Sequence, residues 1–201
     1  LPAKRREKEL SVPNKEQALS IFNLVKPEKI TEYNFKRTKK RMAIFEFQFL
    51  IGGHNLVDVA LLRWTDIVGG RLKFSRYKNR KKTVVVIENI IIGRAREIIK
   101  EYGTKDLDRI FSFIPSPIDE LDAYINYRAL TGKALRRNFN FKVSTNSARF
   151  MFRTYGGELG IDKLILMQLQ GHKSKEITFA YQQRLPDKMI DEALLRIIKL
   201  D

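Results

Sequence analysis

The sequence predicts a mainly α fold with a small β-hairpin or sheet (α+β), and three observations carry that reading. Apolar residues recur at helical spacing over most of the chain. One stretch, Arg71 to Ile87, changes to a period-two run followed by a β-branched run. Glycine doublets at 52–53, 69–70 and 156–157 punctuate the pattern. The 201 residues, 43% of them hydrophobic, suffice for one ordinary domain with a real core.

Residues 1–13 are polar and basic, hold Pro2 and Pro13, and read as a linker or arm; residues 14–201 read as the folded domain. Asn14 is an N-cap for a helix over 15–22. A longer helix is expected from Glu32 to Ile51, basic at Lys36, Arg37, Lys39, Lys40 and Arg41, then apolar through Phe45, Phe47, Phe49 and Leu50, and stopped by Gly52-Gly53. Leu56–Leu62 reads as a short apolar helix. Strands are expected over Arg71–Lys78 and Thr83–Ile87, joined by polar Asn79–Lys82. Helical spacing returns over Ile90–Tyr102, Ile118–Leu135, Val143–Leu159 (capped by Ser144 or Thr145) and Ile161–Leu169. Pro186 favours the first turn of a last helix, whose stripe is Met189, Ile190, Ala193, Leu194, Ile197 and Ile198.

Thirty-nine Lys and Arg against twenty-three Asp and Glu give a net charge of +16, which calls for a polyanion. The excess is polarised. Residues 71–82 carry Arg71, Lys73, Arg76, Lys78, Arg80, Lys81 and Lys82 with no acid, and residues 133–153 carry Lys133, Arg136, Arg137, Lys142, Arg149 and Arg153, again with no acid. Glu101–Asp122 is mainly acidic. Two acid-free tracts make a docking face for phosphates, with Arg76, Arg80, Lys81, Lys82, Arg136 and Arg137 as candidate DNA contacts; such contacts give affinity without reading sequence. The absence of Cys excludes disulfide scaffolds, thiol catalysis and cysteine-type zinc sites, and two histidines exclude a His-rich metal cage. No apolar run reaches the ~20 residues of a membrane span, so a cytoplasmic protein, on the nucleoid when bound to DNA, is expected.

The chemistry-bearing constellation is Arg149 in Ser147-Ala148-Arg149-Phe150, then Gly171-His172, then Tyr181 nine residues after His172. In this order and spacing the chain resembles the catalytic domain of the tyrosine recombinases, the phage-integrase family, from about Leu10 to Leu200. Arg76-Tyr77-Lys78 is similar to that family's hairpin lysine context. The resemblance implies catalytic roles for Tyr181, Arg149, His172 and Lys78, with Asn146 where a histidine is common. It also implies a 3′-phosphotyrosyl link at Tyr181, no cofactor, no metal, double-stranded DNA as partner, and a tetramer assembled on DNA through the C-terminal helix. The separate N-terminal DNA-binding domain of such recombinases is not in the sequence, which starts at Leu1 and reads as a fragment or processed product. Independently of the name, a phenol oxygen can attack phosphorus when donors such as Arg149 and His172 neutralise the nonbridging oxygens and Lys78 protonates the leaving oxygen.

One departure matters most. In Gly53-His54-Asn55-Leu56-Val57-Asp58, Asn55 stands where the family has another arginine; Gly52 and Gly53 offer no cation, Arg63 is two helical turns away, and His54 is left as a candidate donor. The loss of one preorganised donor costs roughly 10² to 10³ in rate. Three readings therefore stand: an active strand-breaking and rejoining enzyme, a DNA-binding module on the same scaffold that has lost catalysis, and a basic RNA-associated protein in which the spacing is accidental. Scattered carboxylates such as Asp58 and Asp66 leave a metal nuclease as a minor alternative.

Overall fold

The computed structural model describes residues 12–79, 85–105, 107–172 and 185–200. The first helix, α1 (Lys15–Phe22), starts at a reciprocal capping box: the Asn14 side chain accepts from the Gln17 N–H, and the Gln17 side chain accepts from the Asn14 N–H. The second, α2 (Glu32–Leu50), is capped by Thr31 and changes character midway. Its first half carries the basic residues, and every residue from Met42 to Leu50 is buried. A helix buried on all sides must lie at the centre, and α2 contacts α1, α3 (Leu56–Val59), α4 (Gly93–Tyr102), α5 (Leu121–Asn138) and α6 (Ser147–Glu158). Phe45 and Phe49 meet Phe22, and Phe49 also meets Phe152 and Tyr155 edge-on at 6.0 and 5.8 Å.

The sheet is antiparallel with order β1 (Ile67–Val68), β2 (Arg71–Ser75), β3 (Val86–Ile90). Of the expected strand Thr83–Ile87, Thr83 and Val84 lie outside the described residues; β3 runs on three residues past the expected end, to Ile90, because pairing of Phe74 with Ile87 and Leu72 with Asn89 puts those four side chains on the buried face. After Ser75 the chain leaves the ladder and turns through a 3₁₀ helix, Tyr77–Asn79. Other boundaries shift for local reasons. Helix α3 stops at Val59, short of Leu62, as the chain is drawn into a bridge between Arg63 and Arg109. Residues 90 and 91 belong to the sheet side, so α4 begins at Gly93. Asn146, not Ser144 or Thr145, is the N-cap position of α6, without a side-chain capping bond, and the Ser147 hydroxyl accepts from the Ser144 N–H. Asp162 caps α7 (Lys163–Leu169). Pro186 is the N-cap of α8 (Asp187–Ile198), one position before the first turn.

The stripe of α8 is used within the chain: Ile190, Ala193, Leu194 and Ile197 are buried against α6, α7 and β3. The stripe thus packs on the chain's own core; Met189 and Leu195 are the exposed apolar residues of the helix. Arg71 fastens α8 to the sheet through a two-pronged bond to Asp191, at 2.8 and 2.7 Å. Among the described residues no helix is long and apolar enough to cross a membrane.

Candidate functional site

The site forms where the C-terminal end of α2 meets the start of α6. Gly52 and Gly53 have φ of +109° and +69°, a region that favours glycine, and they let the chain reverse so that the His54 N–H bonds back to Gln48 O at 2.9 Å. The buried Gln48 amide donates to His54 O and to Thr145 O, pinning this turn to the start of α6. Packing is close: a Cβ at Gly53 would meet Phe152 Cβ at 2.5 Å. That contact, one helical turn beyond Arg149, sets the position of the Arg149 guanidinium. Its Nη1 donates to Gly53 O at 3.1 Å, and its Nη2 is in hydrogen-bond contact with His172 Nε2.

His172 comes from the other side. Gly171, at φ +59°, turns the chain out of α7, the His172 N–H donates to Met167 O at 2.8 Å, and the Gln170 amide donates to Arg149 O at 3.2 Å. A Cβ at Gly171 would meet Ile87 Cδ1 at 2.6 Å, so only glycine lets α7 lie this close to β3. Burial, then the charges of Arg149 and Arg76, push the His172 imidazole down to about 4. The ring is therefore neutral at pH 7. Because a guanidinium can only donate, His172 Nε2 accepts from Arg149 and the ring proton sits on Nδ1. Burial, and then Arg76, push Arg149 down to about 10, so it stays charged.

Arg76 is the surprise. Expected as a surface DNA contact, it is buried, with its Nε 3.8 Å from Oδ2 of the buried Asp58; Asp58 Oδ1 accepts from the Tyr77 N–H at 2.8 Å. Leu72, Phe74 and Arg76 share one parity, and the first two face the core, so the alternation itself was the signal for the third. Lys78 is exposed in the 3₁₀ turn beyond, and its charge acts on His172. Asn146 is exposed and its side chain makes no capping bond. Arg136 and Arg137 are exposed at the last turn of α5; Arg137 lines a groove of about 500 Å³ with Arg37, Arg41 and Lys133, a basic feature apart from the Arg149 cluster. Tyr181, Arg80, Lys81 and Lys82 lie outside the described residues.

The region of the missing arginine is also defined. Asn55 is the N-cap of α3 without a side-chain capping bond. His54 does not replace a cationic donor: it is 0% exposed, stands edge-on to Phe74 at 4.9 Å, and burial holds it well below the ordinary histidine range. Arg63 is spent on Asp108.

No protein-family model and no curated protein matches the sequence. Solved structures do. The chain is similar to the lambda integrase catalytic core, with TM-score 0.54 and 16% identity over 81% of this chain and 96% of that one. The chain has the tyrosine recombinase catalytic-domain fold. Two lambda integrase dimers bound to a COC′ core site are also similar, at TM-scores of 0.53 and identities of 18% and 17%, covering 90% and 92% of this chain. The chain spans 63% and 51% of those two longer chains. On this recombinase fold, the described residues bring Arg149, His172 and Arg76 to one place and leave Lys78 exposed beside them. Convergent donors with one balancing carboxylate make a place for an oxyanion.

Proposed function

We propose that the chain breaks and rejoins duplex DNA through a 3′-phosphotyrosyl intermediate at Tyr181, as the order Arg149, His172, Tyr181 implies on this fold. The observation that carries the reading is the contact between Arg149 and His172, fixed against Gly53 in a partly buried position. Arg149 is a donor suited to the nonbridging oxygens of a phosphodiester and can grip two at once, and neutral His172 can donate through its one ring N–H. When Arg149 turns to the phosphate, His172 Nε2 is released from it. Tyr181 then attacks phosphorus, its proton passing to a base or water. The P–O5′ bond breaks, and Lys78 protonates the departing 5′ oxygen. Rejoining reverses these steps on another 5′ end. Arg80, Lys81, Lys82, Arg136 and Arg137 hold the DNA backbone. The DNA-bound state of two similar structures supports double-stranded DNA as the partner. Assembly into a tetramer on DNA would draw on Met189 and Leu195 of α8, since its main stripe is covered.

A DNA-binding module without catalysis is the second reading, favoured by Asn55 in place of an arginine. Nicked suicide duplexes, which trap the cleaved state, separate the two. A covalent protein–DNA band on denaturing electrophoresis is expected from the wild type and not from Tyr181→Phe. Salt-sensitive binding with no band, and none gained by Asn55→Arg, sinks the enzyme reading.

A further inference from the structure

We infer that Arg76 supplies the second guanidinium of the phosphate site, reaching it from the β2 side in place of the arginine absent at position 55. The inference rests on the proposed phosphate chemistry and goes beyond it, because it assigns a buried hairpin residue to the reacting group.

Four observations converge. The Arg76 side chain is 10% exposed, and its Nε has no hydrogen-bond partner among the described residues. The Asp58 oxygen facing it, Oδ2, lies at 3.8 Å, beyond hydrogen-bond reach, so the acid fixes where the cation stands without using up its donors. Arg76 also lies against the turn that carries His172: its Cδ is 3.3 Å from where a Gly171 Cβ would be. Its charge is felt by Arg149 and by His172. Two guanidinium charges against one carboxylate leave this partly buried cluster with a net positive charge, which an anion relieves.

Asp58 explains why a residue so far along the chain can serve here. It sits three residues after Asn55, and its N–H bonds to Asn55 O at 2.9 Å. The carboxylate that anchors Arg76 therefore belongs to the same turn that lacks the arginine. A guanidinium held by Asp58 comes to that neighbourhood from the hairpin instead of from α3. The group recognised is a tetrahedral phosphate oxyanion, which in DNA is the scissile phosphodiester.

The test uses inorganic phosphate as the probe and the imidazole NMR signals of the full chain as the readout. The chain has only His54 and His172. Phosphate added at constant ionic strength should shift the His172 ring signals and leave those of the buried His54 in place. Arg76→Gln should weaken this phosphate binding roughly ten-fold to a hundred-fold, as for loss of a charge-assisted contact, and Arg76→Lys should retain part of it. Lys188→Gln, which removes the same charge from an exposed site on α8, should change nothing. Should Arg76→Gln fail to fold because Asp58 is left buried without a cation, Asp58→Asn/Arg76→Gln keeps that pair neutral and carries the same test. Unchanged phosphate affinity in a folded Arg76→Gln or in the double variant overturns the assignment, as does a wild type whose His172 ignores phosphate. Loss of phosphate binding without any Tyr181 adduct in the wild type would keep the assignment and sink the enzyme reading. An adduct formed equally fast by Arg76→Gln would do the reverse.

Discussion

The two sides of the site are held in different ways. Arg149 stands on α6, which carries Ala148, Met151, Phe152 and Tyr155 into the aromatic core behind α2. Arg76 stands at the end of β2, placed by one buried carboxylate and by Gly171. The α6 cation is thus positioned by core packing, and the hairpin cation by an ion pair. Changes behind Arg149 should therefore be felt first as lost stability, whereas changes among the cations should be felt as lost phosphate chemistry.

The largest effect expected of the α6 side is from Phe152→Ala. Phe152 is fully buried, meets Phe49 edge-on and lies against Gly53, so its removal should cost about 3–5 kcal/mol in urea or thermal unfolding. An unfolding midpoint close to that of the wild type would break the claim that packing sets the Arg149 side. Arg149→Ala should do the converse. Rates of adduct formation on a suicide duplex should fall by ~10² to 10³, as for loss of one oxyanion donor. Unfolding should shift by no more than about 1 kcal/mol, because the desolvation of a partly buried cation offsets its bond to Gly53 O. A large loss of stability with little loss of rate would reverse the roles of the two sides.

His172 gives the comparison a pH dependence. Its folded value of about 4 lies below the ordinary histidine value of 6.5, so between these limits the unfolded chain binds more protons. Stability from this group is present above pH 6.5 and is lost as the pH falls toward 4. Glu46, pushed up to about 7 by burial, acts in the opposite direction from its ordinary value of 4.5 upward. The measurement is therefore the difference between wild type and His172→Asn at each pH. That difference should change by on the order of 1–2 kcal/mol between pH 6.5 and 4, after discounting for the partial exposure of the ring. A flat difference would show that burial and the neighbouring guanidinium charges do not act on His172.

Most of this fold was legible in the sequence, since helical periodicity and caps such as Asn14 act within a few residues. Arg149 and His172 were legible as a pair through their resemblance, in order and spacing, to the tyrosine recombinase motif. The role of Arg76 was not legible from charge, which made it one of seven cations on a hairpin; it follows from strand register, which depends on Ile87 and Asn89 packing inward. Gln48 was likewise silent. A buried Gln that bonds His54 O and Thr145 O spans 97 residues of sequence, and no local pattern announces such a contact. His54 failed as a donor because Phe74 and the glycine turn enclose it, again a matter of packing.

The smallest effect sharpens the comparison by separating α6 as a support from α6 as part of the site. Tyr155 lies two turns beyond Arg149 toward the C-terminal end of the helix; it is buried, and its hydroxyl donates to Pro13 O at 2.7 Å, tying the segment before α1 to the core. Tyr155→Phe keeps the ring and its edge-on contact with Phe49, and removes only that hydrogen bond. The cost should be roughly 0.5–1.5 kcal/mol, plus what an unsatisfied Pro13 carbonyl adds if water does not reach it. Adduct formation should be unchanged, since the packing of Phe152 on Gly53 is untouched. Were Tyr155→Phe to slow the reaction as strongly as Arg149→Ala, the guanidinium would depend on how α1 is fastened, and the division between a packed support and a reactive face would fail at its nearest point.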